Sequence, residues 1–112
     1  MRDHRLYLDD ILEATKRIER YVNGFTLRKL KNDNLVMDGV VRNLEILGEA
    51  AKKIPAGIKE KYPEVEWKKI AGLRDVLAHE YFGLDMEVVW DVIQHKLPVL
   101  KKKVTHILRE IK

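Results

Sequence analysis

The sequence predicts an all-α protein, an up-down bundle of four to five helices. Three observations carry this. Apolar residues recur at the three- and four-residue spacing of one helix face along nearly the whole chain. No stretch alternates with the period of two that a half-buried strand needs. Glycine and proline punctuate the periodic stretches, and the breaks are short, which favours antiparallel neighbours. The 112 residues suit one domain spanning 1–112. A chain of this size buries roughly two-thirds of its unfolded surface, enough for a real core.

Each element has its own signal. In the first segment Leu8, Ile11, Leu12, Thr15, Ile18, Val22 and Phe25 fall on one stripe, and Asn23-Gly24 ends it. Thr26 can cap a short turn through Leu30. A second long helix spans about Asp33 to Lys53, with Met37, Val40, Val41, Leu44, Leu47 and Ala51 inward. Pro55 and Gly57 break it, and Pro63 ends the short piece that follows. A third helix runs from near Glu66 to near His79 on Ile70, Leu73 and Leu77. Asp85 is a good N-cap for the last segment. There Val89, Trp90, Ile93, Leu97, Leu100, Val104, Ile107, Leu108 and Ile111 stay in register. Pro98 lies inside that run and predicts a kink, or two helices meeting.

Composition narrows the function classes. With 46% hydrophobic and 36% charged residues the chain reads as soluble and globular. No apolar run approaches the ~20 residues of a membrane span, and "MRDHRLYLDD" holds no signal-peptide core. The absence of cysteine excludes disulfides and thiolate chemistry. A cytoplasmic location and no membrane partner are expected. The net charge of +4 permits a polyanionic partner such as RNA without demanding one. Lysines cluster at 52–53, 59–61, 68–69 and 101–103 and read as solvated helix faces.

One stretch is unlike the rest. "GLRDVLAHEYFGLD", Gly72 to Asp85, packs Arg74, Asp75, His79, Glu80, Tyr81 and Asp85 together. Asp75 and His79 are four apart, about 40° around a helix, so Asp75 can orient one imidazole nitrogen. Arg74 lies about 140° from His79. The two converge on one ligand only at a frayed helix end or across a symmetric dimer. Arg offers a permanently charged fork for phosphate, and His suits proton transfer. Together they can cleave RNA through its 2′-OH without a metal. That scheme wants two proton-transfer groups, and a twofold dimer supplies the second histidine. Cations at a helix C-terminus also arise simply as caps.

Other groups carry weaker signals. Arg42, Glu45 and Glu49 share one face of the second long helix, as a solvated stripe or as a polar network supporting Arg74. Asp9-Asp10 reads as surface. His4, His95 and His106 are scattered, and His106 with Glu110 is one pair rather than a metal site. Trp67 and Trp90 read as core or dimer anchors. No Gly-rich phosphate loop exists, and no cofactor is expected.

"RDVLAHEY" resembles the RxxxxHxY signature of the HepT-like toxins of the HEPN superfamily, with Arg74, His79 and Tyr81 at the fixed positions. "RNLEILGEAAKKI", "WKKIAGLRDVLAHEYFGLD", "VWDVIQHKLPVL" and "LYLDDILEATKRIERYV" resemble that family's helices, so the similarity covers essentially the full chain. The resemblance implies a homodimeric helical bundle with a composite, metal-independent ribonuclease site between protomers. Arg74 would stabilise the phosphate and His79 act as general acid or base. It implies a toxin paired with an MNT-type nucleotidyltransferase antitoxin, which transfers AMP to Tyr81 and can join a larger hetero-oligomer. The competing possibilities are a non-catalytic nucleotide- or partner-binding subunit of a nucleotidyltransferase, and a structural bundle whose polar cluster only caps a helix.

Overall fold

A computed structural model describes residues 3–80 and 85–111, with the backbone alone at 74–76 and 78–80. The described residues hold helices and no strand. They form α1 (His4–Tyr21), α2 (Leu27–Lys31), α3 (Asn34–Lys52), α4 (Ala56–Lys61), α5 (Trp67–Glu80), α6 (Met86–Asp91), a π-helical segment (Val92–Lys96) and α7 (Leu97–Glu110). The last three run on without a turn, so four long rods carry the fold and α2 and α4 are one-turn connectors.

The ends of the rods follow local chemistry. Asp3, Thr26, Asp33 and Asp85 each accept a hydrogen bond from a first-turn amide, which satisfies one of the orphan donors of a helix N-terminus. Gly24 takes φ +77, a left-handed conformation that glycine adopts at no steric cost, and it turns the chain out of α1. Pro98 removes one amide from the last rod. The neighbouring Leu97 amide reaches back five residues to the Val92 carbonyl, and Pro98 begins α7. A π segment therefore absorbs the missing donor, where a kink or a junction of two helices was expected.

Packing centres on α3. It lies against α1 and α5, while α1 also meets α7 and α2 bridges α3 and α6. Arg5 Nη2 donates to the Ile111 carbonyl at 3.3 Å, so the start of α1 meets the end of α7 and the two are antiparallel. Leu8, Ile11, Ile18, Leu44, Leu47, Val104 and Ile107 are fully or almost fully buried. The expected stripe of α3 is buried throughout. On α1 the stripe is turned: Ala14 is buried and Leu12 only half-buried, because α1 serves both α3 and α7. Phe25 is half-buried as well, with the Lys29 ammonium 4.5 Å from its ring centre.

Few polar groups enter the core, and those that do are bonded. Thr15 donates to the Ile11 carbonyl at 2.9 Å. Asn43, in the α1–α3 interface, donates to the Gly39 carbonyl at 2.9 Å and accepts from Arg17 at 3.3 Å. At the other end Trp67 Nε1 donates to the Tyr62 carbonyl at 3.0 Å, and the Tyr62 hydroxyl donates to Glu110 at 2.7 Å. That bond pushes the Tyr62 phenol up to about 12 and holds the Glu110 carboxyl below its usual range.

Leu44→Ala is expected to lower stability by about 2–5 kcal/mol, since it opens a cavity where α3 is fully packed, as read from urea midpoints. The Glu110 bond gives a pH test. Its carboxyl is depressed in the folded state, so its contribution is present at neutral pH and is lost as pH falls through the folded value. Wild type should therefore lose more of its urea midpoint between neutrality and the acid limb than Glu110→Gln does; parallel curves would refute the linkage.

Candidate functional site

The motif helix is continuous. α5 carries Arg74, Asp75 and His79 in its last two described turns, through Glu80. Leu77 is buried and fixes the rotational setting of this stretch. In that register Asp75 and His79 occupy adjoining positions, and Arg74 lies about 140° from His79. The side-chain geometry of Arg74, Asp75 and His79 and the whole of Tyr81 lie outside the described residues, as does a Glu49–Arg74 contact.

Arg42, Glu45 and Glu49 line a shallow groove of about 310 Å³ against α1, with Tyr7, Asp10 and Lys53. Arg42 is exposed, Glu45 and Glu49 are half-buried, and Glu49 pairs with Lys53 at 3.6 Å. The Lys53 ammonium lies 5.9 Å from the centre of the Tyr7 ring. The three residues thus form a mixed-charge groove with α1 rather than an evenly solvated stripe. Asp9 is exposed as expected, whereas Asp10 is half-buried in that groove.

The described histidines each lie beside a carboxylate: His4 at 3.6 Å from Asp3, His95 at 3.9 Å from Asp91 and His106 at 3.2 Å from Glu110. No cluster of three metal-ligating side chains occurs among the described residues. Trp67 is buried in the core and Trp90 is half-buried. Several cluster lysines have partners: Lys69 with Glu66 at 2.8 Å, Lys101 with Glu19 at 3.2 Å, and Lys103 with the Glu64 carbonyl at 2.6 Å. The Lys69 ammonium holds the Glu66 carboxyl below its usual range. Lys102 and Arg109 stand exposed in a trough along α7 that also holds Lys101, Thr105 and His106. No described helix is long and apolar enough to cross a membrane.

A feature that periodicity did not announce is a second groove, of about 290 Å³, between α5 and the last rod. Ile70 and Leu73, expected inside, line it half-exposed. Their apolar neighbours on the rod, Val92 and Val99, were the available signal, because neither fits the buried stripe.

Residues 11–107 match the family described as Ribonuclease HepT-like, and the chain belongs to that family. A protein of Methanocaldococcus jannaschii named "Putative RNase" is 40% identical over 98% of this chain and 91% of its own length. One of the same designation from Caldanaerobacter subterraneus subsp. tengcongensis is 39% identical over the full length of both. The "Probable ribonuclease HepT" of Thermococcus cleftensis is 40% identical over 91% of this chain and 93% of its own. No solved structure matches the chain significantly.

Proposed function

We propose that this protein is the toxin of a type II toxin–antitoxin pair, a metal-independent RNA endonuclease acting as a homodimer in the cytoplasm. The observation that carries this is the placement of Arg74 and His79 in the last two turns of α5, in a chain of the HepT-like family. The ribonuclease names of its relatives support the substrate class.

The chemistry needs no cofactor. A base takes the proton of the RNA 2′-OH, and that oxygen attacks the adjacent phosphorus. The bond to the 5′-oxygen breaks, an acid protonates the leaving oxygen, and 2′,3′-cyclic phosphate and 5′-hydroxyl ends result. Arg74 neutralises charge growing on the phosphoryl oxygens. His79 serves as base in one protomer and acid in the other. Asp75 positions the imidazole from one turn away, and Arg42 and Glu49 support the cleft. The exposed Lys102 and Arg109 add sequence-independent attraction for phosphate. Tyr81, two residues beyond His79, is the acceptor of AMP from an MNT-type nucleotidyltransferase antitoxin. The adduct adds bulk and negative charge beside the phosphate site and so blocks RNA.

Cleavage of RNA in excess EDTA tests the reaction. Wild type should release cyclic phosphate ends, and His79→Ala should lower the rate about 10²–10⁴-fold with unchanged helicity by circular dichroism. Inactive wild type with unmodified Tyr81, verified by mass, would move the assignment to a silent partner subunit. Incubation with a cognate nucleotidyltransferase and ATP should add the mass of AMP to wild type and none to Tyr81→Phe. Equal labelling of both proteins would remove Tyr81 from its role.

A further inference from the structure

The groove between α1 and α3 mixes charges of both signs with one aromatic ring. It encloses about 310 Å³, in the range of small-ligand sites, and Tyr7, Asp10, Arg42, Glu45, Glu49 and Lys53 line it. Three carboxylates face two cations, so the groove is net negative and repels a bare phosphate. No cluster of three metal-ligating side chains occurs among the described residues, so the carboxylates are not gathered around a cation. Such walls suit a flat, uncharged group with N–H donors along one edge and acceptors along another. The Tyr7 ring adds a face for stacking.

The groove also runs toward the motif. The Lys53 ammonium lies 5.9 Å from the centre of the Tyr7 ring, Arg5 donates to the Ile111 carbonyl, Tyr62 donates to Glu110, and Trp67 donates to the Tyr62 carbonyl. These contacts gather the end of α3 and the start of α5 at one end of the bundle, so the two helices are antiparallel. Arg42 lies about 16 Å along α3 from Lys53, and Arg74 and His79 lie about 10 and 18 Å along α5 from Trp67. The Arg42 end of the groove is therefore level with the motif turns, on a helix that packs directly against α5.

We infer that this groove is a guanine subsite for the RNA substrate, close to the scissile phosphate; the inference rests on the ribonuclease reading of the motif. Glu45 is half-buried and forms no ion pair with a described residue, whereas Glu49 is engaged by Lys53 at 3.6 Å. A carboxylate has two acceptor oxygens and takes the adjacent N1–H and N2–H of guanine side by side. Adenine and cytosine set one donor group beside an acceptor, and uracil flanks its single donor with two acceptors. Each of these would leave a carboxylate oxygen against a lone pair. Arg42, one turn from Glu45 on the same face, donates its fork to guanine O6 and N7 on the adjoining edge. The splayed base stacks on the Tyr7 ring. Arg74 and His79 act on phosphate and ribose, which carry no sequence information, so base choice falls to groups such as these.

Single-atom changes in the base test it. Fluorescence anisotropy on the full wild-type chain reads the binding of a deoxythymidine oligomer carrying one guanine, which has no 2′-OH and is not cut. Hypoxanthine in place of that guanine deletes the N2 amine, and 7-deazaguanine deletes the N7 acceptor; each should weaken binding at least about fivefold. Glu45→Gln should bring guanine and hypoxanthine within about twofold of each other. It should leave the affinity of the plain thymidine oligomer unchanged, with helicity retained. On RNA, wild type should cut beside guanine, and Glu45→Gln should lose that preference while cuts elsewhere persist. A protein that binds the three bases alike or not at all, or that cuts RNA without regard to guanine, would overturn the subsite. Cleavage in that case leaves the nuclease reading standing. A protein that discriminates among the bases but cuts no RNA would keep the subsite and overturn the nuclease. Discrimination that survives Glu45→Gln would remove Glu45 as the reader.

Discussion

The fold depends on α3 being buried on two sides. It touches α1 and α5 along its length, so it cannot afford a polar face the width of an ordinary surface helix. Its apolar stripe fills the centre, and Asn43, Gly48, Ala50 and Ala51 complete the buried surface. Small residues let neighbouring backbones approach. At Gly39 a Cβ would stand 3.1 Å from the Tyr21 ring, so glycine there is what allows α1 to lie against α3 with that ring between them. The polar exception, Asn43, is tied to both helices through Arg17 and the Gly39 carbonyl, which fixes their relative register. α5 takes its setting from α3, and the motif takes its setting from α5.

Pro98 imposes the second constraint. A proline inside a helix costs a hydrogen bond and brings a ring against the preceding turn. Here the chain answers with a π segment instead of a break, so residues 86–110 remain one rod. The rod closes the bundle on α1 but leaves the seam with α5 open, and His95 and Lys96 of the π segment stand on the rim of that seam. π segments recur where a helix must present side chains out of its regular register.

Much of the fold was legible because it is encoded locally. Asn23-Gly24, Thr26, Asp33 and Asp85 act within a few residues of themselves, and each does what its chemistry implies. Periodicity located the core of α3 for the same reason. It was less informative where a helix has two neighbours or an absent one. Leu12 yields to Ala14 because α1 is wedged between α3 and α7, and Ile70 and Leu73 stay half-buried because they line the groove between α5 and the last rod. Spacing shows that a stripe exists, while its partners are tertiary facts. The candidate site was legible through motif spacing and family resemblance. The α1 groove holding Arg42, Glu45 and Glu49 was not, since three charges at i, i+3 and i+7 look alike whether they face water or a neighbouring helix.

The placement of His79 bears on how a symmetric dimer could run asymmetric chemistry. In the proposed mechanism one residue type supplies both acid and base, so the competent state holds one proton between two identical imidazoles. Such a pair titrates with two macroscopic values that belong to the dimer and not to either histidine. The local environment must therefore permit each imidazole to be charged while its twin is neutral. That requirement falls on the groups around the two imidazoles, which would be Asp75, one turn before His79 in sequence, and the Arg74 of each protomer.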